Sequence, residues 1–228
     1  MISIICCTMR ENFIENVFLN YENQVLEAKE LIVILNKDDM EVNKWKKRAS
    51  VSKNVSVYHL NEKRTLGECL NYGIKKARYN FIAKFDDDDY YAPKYLEQSM
   101  ILFEKTNADL IGKTTVYMYF ENEKILSLYK PGKENKFVDG GLRGATLIFK
   151  KEISKKVKFP KLNLGEDSFF VNQCFKNNFK LYSANRNNYV CLRFSKKGHH
   201  TWKVDNNNLL KRAVIICRTE DYKNSILQ

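Results

Sequence analysis

Four short apolar runs separated by amphipathic stretches fill the first half of the chain and decide what it can fold into. "ISIICC" (2–7), "LIVIL" (31–35), "VSVYHL" (55–60) and "FIAKF" (81–85) have the length and the β-branched or aromatic content of buried strands. Between the first two, "NFIENVFLNY" places Phe13, Val17 and Tyr21, with Ile14 and Phe18, on one face of a helix. Thr65 and Glu68 form the pattern of a capping box ahead of Leu66, Leu70, Ile74 and Ala77. Pro93 stands where an N1 proline would open a helix containing Leu96, Met100 and Phe103. Apolar strands alternating with helices predict a mostly parallel sheet covered on both faces. Ligands of such sheets bind beyond the carboxyl ends of the strands.

The second half changes character. "TTVYMYF" and "KILSLY" around "ENE" predict an antiparallel hairpin, "ATLIF" a further strand, and a helix begins near Glu166. The tail "LLKRAVIICRTEDY" reads as a helix. No repeat or low-complexity linker divides the chain. The expectation is one α/β domain over 1–228: a sheet half (1–110), a half with antiparallel additions (111–203) and a C-terminal helix (204–228).

No window reaches eighteen uncharged apolar residues, and Met1 leads into "ISIICC" without a basic leader, so neither a membrane span nor a signal peptide is expected. The six cysteines form no CxxC pair and sit in apolar patterns, which points to reduced, buried thiols in a cytoplasmic protein. Lys and Arg outnumber Asp and Glu by 39 to 27, a net charge of +12 that suits an anionic partner such as nucleic acid, an acidic membrane surface or a phosphorylated small molecule. The lysines are scattered in short clusters, and a solvated basic surface is the plainer account.

Against that basic background, Asp86 to Asp89 crowd four carboxylates at the end of a buried strand. In an extended segment Asp86 and Asp88 point one way, Asp87 and Asp89 the other. Like charges this close raise one another's pKa unless a cation neutralises them. Oxygen-rich clusters suit Mg²⁺ or Mn²⁺ sharing a carboxylate or two with a substrate's phosphates. The alternative is a solvated acidic loop with one aspartate capping the next helix. "LGEDSFF" sets Glu166 and Asp167 at a helix start, where the dipole favours acids; they are either helix-terminal charges or a carboxylate able to take a proton from a substrate hydroxyl. His199 and His200, beside Trp202, face opposite sides if extended, so at most one joins a given metal site. The loops "CCTMRE" and "LNKDD" bring Thr8, Arg10, Asn36 and Asp38 to the carboxyl edge of the sheet, and Lys63 and Arg64 precede the capped helix. No glycine-rich phosphate loop occurs.

In order and spacing these segments resemble family 2 glycosyltransferases of the GT-A fold over residues 2 to 203. "SIICCTMRE" is similar to that family's first strand and nucleotide loop, "LGECLNYGIKKARYNFIAKFDDDDYYAPKYL" to its helix, strand and D-x-D segment, "GGLRGATLIFKK" to the strand before the acceptor region, "GEDSFF" to its E-D motif and "HHTW" to its late histidine segment. The bacterial branch associated with spore-coat and surface polysaccharides is the nearest. The resemblance implies that residues 1–110 bind a nucleotide-diphosphate sugar, UDP-linked by expectation, and that 111–203 hold the acceptor and catalytic groups. Asp86 would contact the ribose, Asp88 and His200 a Mn²⁺ or Mg²⁺ ion, and Asp167 would be the catalytic base, with Glu166 placing the acceptor. Thr8, Arg10, Asn36, Asp38, Arg64, Gly67, Asn71 and Asp87 would line the donor pocket, and Gly144 and Trp202 the acceptor side. The acceptor would be a glycan or lipid-linked glycan, with peripheral attachment to the inner membrane face and no nucleic acid partner. One departure stands out: the second strand ends in Leu35 and Asn36 where the family usually has acidic residues that read the base.

Other classes fit less well. A nucleotidyltransferase should carry a glycine-rich loop after the first strand, and an aspartyl phosphatase its acidic pair there. A basic, aromatic-rich binding module should lose affinity steeply with salt and need no divalent ion. A degenerate transferase would bind donor without turnover.

Overall fold

The computed structural model describes residues 1–194 and 204–226. Strands β1 (Ile2–Thr8), β2 (Lys29–Leu35), β3 (Val55–His59) and β4 (Phe81–Phe85) form a parallel block in the order β3-β2-β1-β4. Helices α1 (Ile14–Glu22), α2 (Val42–Ser50) and α3 (Leu66–Lys76) connect them. Period-two alternation explains why both faces are covered. Ile2, Ile4 and Cys6 of β1, with Leu31, Val33 and Leu35 of β2, pack under α1 and α2, where Phe18 and Trp45 are fully buried. Ile5, Ile32 and Ile34 face oppositely, onto Cys69, Leu70 and Ile74 of α3. Each such buried aliphatic side chain stabilises the fold by about 1.5–3 kcal/mol.

After β4 come the short β5 (Tyr90–Tyr91), α4 (Tyr95–Thr106), β6 (Leu110–Gly112) and the hairpin β7 (Val116–Phe120) and β8 (Ile125–Tyr129). Then follow β9 (Lys136–Val138), β10 (Ile148–Lys150), α5 (Glu166–Lys176), β11 (Leu181–Ser183), β12 (Tyr189–Arg193), α6 (Asn206–Leu210) and β13 (Ala213–Arg218). The first sheet continues past β4 as β10-β6-β11-β9, with β10 antiparallel to both neighbours; a second sheet runs β13-β8-β7-β12-β5. Thr8 pairs with Leu35, and Cys6 with Phe85, so the loops after β1, β2 and β4 leave the same edge.

Two expectations need correction. The C-terminal helix ends after Leu210, and residues 213–218 form strand β13 along the edge of β8. Asp205 caps the short helix through the N–H groups of Asn207 and Asn208, but the run Ala213–Cys217 is largely β-branched and gains a ladder on β8 that a helix there would forgo. Pro93 lies ahead of α4, whose N-cap is Lys94, because a turn from Ala92 to the Tyr95 N–H precedes the helix. All six cysteines are free thiols, four of them buried. Among the described residues no helix is long and apolar enough to cross a membrane.

Candidate active site

The alternation expected of the aspartates is present, and each pair has a different job. Asp87 and Asp89 are held inside the protein. Asp87 takes the Thr8 hydroxyl at 2.5 Å and the Arg10 Nε at 3.0 Å, and a second Arg10 nitrogen closes a bidentate pair. Burial pushes the Asp87 carboxyl upward against the pull of Arg10. Asp89 accepts the Tyr189 hydroxyl at 2.5 Å and the Leu192 N–H at 3.1 Å, and burial, then Asp88 and Asp86, push its pKa to about 8. Asn16 and Asn20 donate to the carbonyls of this segment. Two carboxylates are thus spent on fixing the loop. Asp86 and Asp88 remain at the cavity surface, Asp88 within 3.0 Å of Arg10 Nη1. Tyr91, stacked on Phe85, receives the Asp86 N–H at 2.8 Å and donates to the Ala145 carbonyl at 2.7 Å, so one phenol ties the aspartate loop to the Gly144 segment.

The cavity measures about 600 Å³ and lies beyond the carboxyl ends of β1 and β4. Its far wall is the start of α5. Gly165, the N-cap of that helix, adopts φ +79°, a left-handed conformation that favours glycine. Glu166 follows, buried, its carboxyl raised by burial against the lowering effect of Lys84. Asp167 reaches the cavity and accepts the Ser168 N–H at 2.6 Å. A Cβ on Gly144 would stand 1.8 Å from Asp167 Oδ2, so the absence of a side chain at 144 is what gives the Asp167 carboxylate its place.

Helix α3 positions that wall. Its capping box is formed as expected, with Thr65 and Glu68 bonded reciprocally. Its first turn also binds the loop leading into α5: the Leu66 N–H donates to Asn163 Oδ1 at 2.8 Å and the Gly67 N–H to the Leu162 carbonyl at 3.1 Å. Gly67 lies so close to this loop that a Cβ would meet the Pro160 carbonyl at 1.8 Å. Asn71 satisfies both backbone groups of Phe159.

Of the residues expected at the site, the cavity gathers Arg10, Asp86, Asp87, Asp88, Gly144, Glu166 and Asp167. Thr8 stands behind Asp87. Gly67 and Asn71 hold the 159–163 loop and do not line the cavity. Asn36 is buried and bonded to the Asn61 carbonyl, Asp38 binds the Glu62 N–H and the Asn61 amide, and Arg64 is exposed; none lines the cavity either. His200 and Trp202 lie outside the described residues.

Four more cations complete the lining, Lys130 and three others. Lys84, in the apolar strand β4, is buried and bonded to Asp86; burial would lower its ammonium, but Asp86, Asp167 and Glu166 outweigh this and hold it protonated. A lysine inside an otherwise apolar strand was the available signal for it. Arg143 sits against Tyr129 and Cys191, and Arg193 is buried and bonded to Asn206 and the Val204 carbonyl. Nothing in the sequence pattern announced these two, since their meeting depends on the tertiary fold. Five cations and the carboxylates of 86–89, 166 and 167 thus face one space, an arrangement able to bind a polyanion and move a proton. Among the described residues no three His, Cys, Asp or Glu side chains cluster as a metal site. Two accessible carboxylates still fit an ion held mainly by a bound diphosphate.

This architecture, a parallel block with an acidic edge and an antiparallel extension, is that of the GT-A glycosyltransferases. The chain belongs to glycosyl transferase family 2, whose sequence model matches residues 3–158. It is 29% identical over 164 residues to the O-antigen biosynthesis glycosyltransferase WbnJ of Escherichia coli, a match over 68% of this chain and 64% of that protein. Its fold is similar to S. aureus TarS 1-349 in complex with UDP-GlcNAc, with TM-score 0.70 at 17% identity over 92% of this chain and 63% of that one. It is also similar to the mannosyltransferase PcManGT of Pyrobaculum calidifontis in complex with GDP-Man and Mn²⁺, with TM-score 0.65 at 16% identity over 92% and 62% of the two chains. The chain therefore spans somewhat under two thirds of these relatives' lengths.

Proposed function

We propose that the chain is one catalytic domain that moves a sugar from a nucleotide-diphosphate sugar, UDP-linked by preference, to a hydroxyl of a surface-polysaccharide or lipid-linked glycan, with inversion. The observation that carries this reading is the meeting of Asp86, Asp88, Arg10 and Lys84 with Asp167 across one cavity at the carboxyl edge of the sheet.

Asp86 would hold the ribose, and Arg10, fixed by Asp87, would orient Asp88 toward the diphosphate. Asp88, with His200 as a second candidate ligand, would hold Mn²⁺ or Mg²⁺. When bound, that ion supplies positive charge to the leaving diphosphate. Arg10, Arg143 and Arg193 add fixed positive charge to the same space, useful where negative charge grows on the leaving group. Asp167, its rotamer given room by Gly144, takes the proton of the acceptor hydroxyl as that oxygen bonds to the anomeric carbon and the bond to the diphosphate breaks. Buried Glu166 helps to place the acceptor, and Lys84 links the ribose carboxylate to both acids. One displacement leaves no covalent intermediate and inverts the anomeric centre. The basic surface suits peripheral attachment to the inner membrane face. Retention of the protein by washed membranes at low salt is expected, and failure to be retained would remove that part of the reading.

The test is release of nucleotide from UDP-, GDP- and dTDP-sugars with Mn²⁺, with product configuration read by NMR. Turnover of one donor with an inverted product supports the proposal; retention of configuration or no turnover of any donor contradicts it.

A further inference from the structure

A second cavity of about 820 Å³ opens beside the first, and Gly141 lines both. It lies between the edge strand β9 and helix α5, the helix whose first turn carries Glu166 and Asp167. Two large aromatic side chains stand open to solvent along it, Phe137 at 54% exposure and Phe175 at 49%. The Phe137 ring is held by an edge contact with Tyr182 at 5.3 Å. Asp139 and Asn172 line the same groove, with Lys133 and Lys136. Thr114 also lines the groove, with its hydroxyl buried beneath the surface.

Exposed aromatic faces in a groove also lined by Asp139, Asn172, Lys133 and Lys136 match a chain of sugar rings: the C–H faces pack on the rings, and the hydroxyls pair with the polar groups. At 1.5 Å rise per residue, Phe175 lies about 12 Å along α5 from Asp167, too far to touch the sugar being modified and within reach of the rings next in line.

We propose that this groove binds the acceptor oligosaccharide at rings remote from the attacking hydroxyl, stacking them on Phe137 and Phe175. This rests on the transferase reading above. It makes the enzyme selective for acceptors of several rings, and it assigns acceptor length selection to β9 and the middle of α5.

The test is retention of the labelled protein on an array of neutral and acidic glycans from one to six rings, alongside calorimetric titration of UDP, GDP and dTDP with Mn²⁺. The wild type should retain glycans of about three or more rings and ignore monosaccharides. Phe137→Ser with Phe175→Ser should weaken retention at least tenfold, and Asn172→Ala should weaken it less, with melting temperature and nucleotide affinity unchanged. Equal retention by wild type and variants, or no retention of any glycan by a wild type that binds nucleotide, overturns the inference alone. A wild type that binds no nucleotide overturns the transferase reading and this inference with it.

Discussion

The carboxyl edge of β1–β4 and the edge around β9 sit side by side and are built differently. At the first, carboxylates are paired and clamped: Asp87 by Arg10, Asp86 by Lys84, Asp89 by Tyr189. At the second, two aromatic rings lie open beside Asn172, Asp139, Lys133 and Lys136. A charged ligand needs charges fixed in advance, because reorganising them on binding weakens the gain. A polyol needs flat apolar faces and a few hydrogen-bonding groups, which solvent exposure does not harm. Helix α5, which carries Asp167 and Phe175, joins the two, and the proposed function divides its work along that line.

The strongest way to break this division is at the junction. Asp167→Asn should lower sugar transfer by about 10²–10⁴-fold, the usual range for a general base, while nucleotide affinity stays as it was. An equal fall in nucleotide affinity would place Asp167 on the donor side instead. Gly144→Ala comes next: the new methyl meets Asp167 Oδ2 and Cβ, and moving the carboxylate by an ångström should reduce turnover by about 10²-fold. Nucleotide titration and a melting curve check that only turnover has changed. On the donor side, Asp88→Asn should weaken nucleotide binding by about 10–100-fold in the presence of Mn²⁺, the scale of a lost charged contact. It should leave glycan retention untouched.

The smallest effect concerns stability. Lys113, buried at the end of β6, has its pKa lowered to about 7 by burial, partly opposed by Glu134, from an ordinary 10.5. Between those values the unfolded chain binds the proton and the folded protein does not, so stability rises with pH across that window. Wild type should therefore gain on Lys113→Met by about a few degrees in melting temperature between pH 7 and 10. A constant gap between the two would show that Lys113 does not titrate there.

Much of the acidic edge was legible because its signals are local. Apolar runs of strand length, a capping box at Thr65 and period-two alternation through Asp86–Asp89 each depend on neighbours in sequence, and the structure returns them with Asp86 and Asp88 at the cavity. Gly67 and Asn71 were sited on the right helix but face the 159–163 loop, a contact between residues about ninety positions apart that no local pattern encodes. Arg143 and Arg193 escaped for the same reason. The tail was misread because "LLKRAVIIC" satisfies helical spacing and continuous burial equally; the free edge of β8 decided for a strand. Phe137 and Phe175 gave no warning, since an exposed aromatic and a core aromatic look alike in a sequence.

The central claim is that the acidic edge binds a nucleotide diphosphate through a divalent ion. Calorimetric titration of UDP, GDP and dTDP, with and without Mn²⁺, into wild type and Asp88→Ala tests it directly. The account predicts tight binding of one nucleotide, dependent on the ion and lost in the variant. Binding of none under any condition, or binding that neither Mn²⁺ nor Asp88 affects, would contradict it.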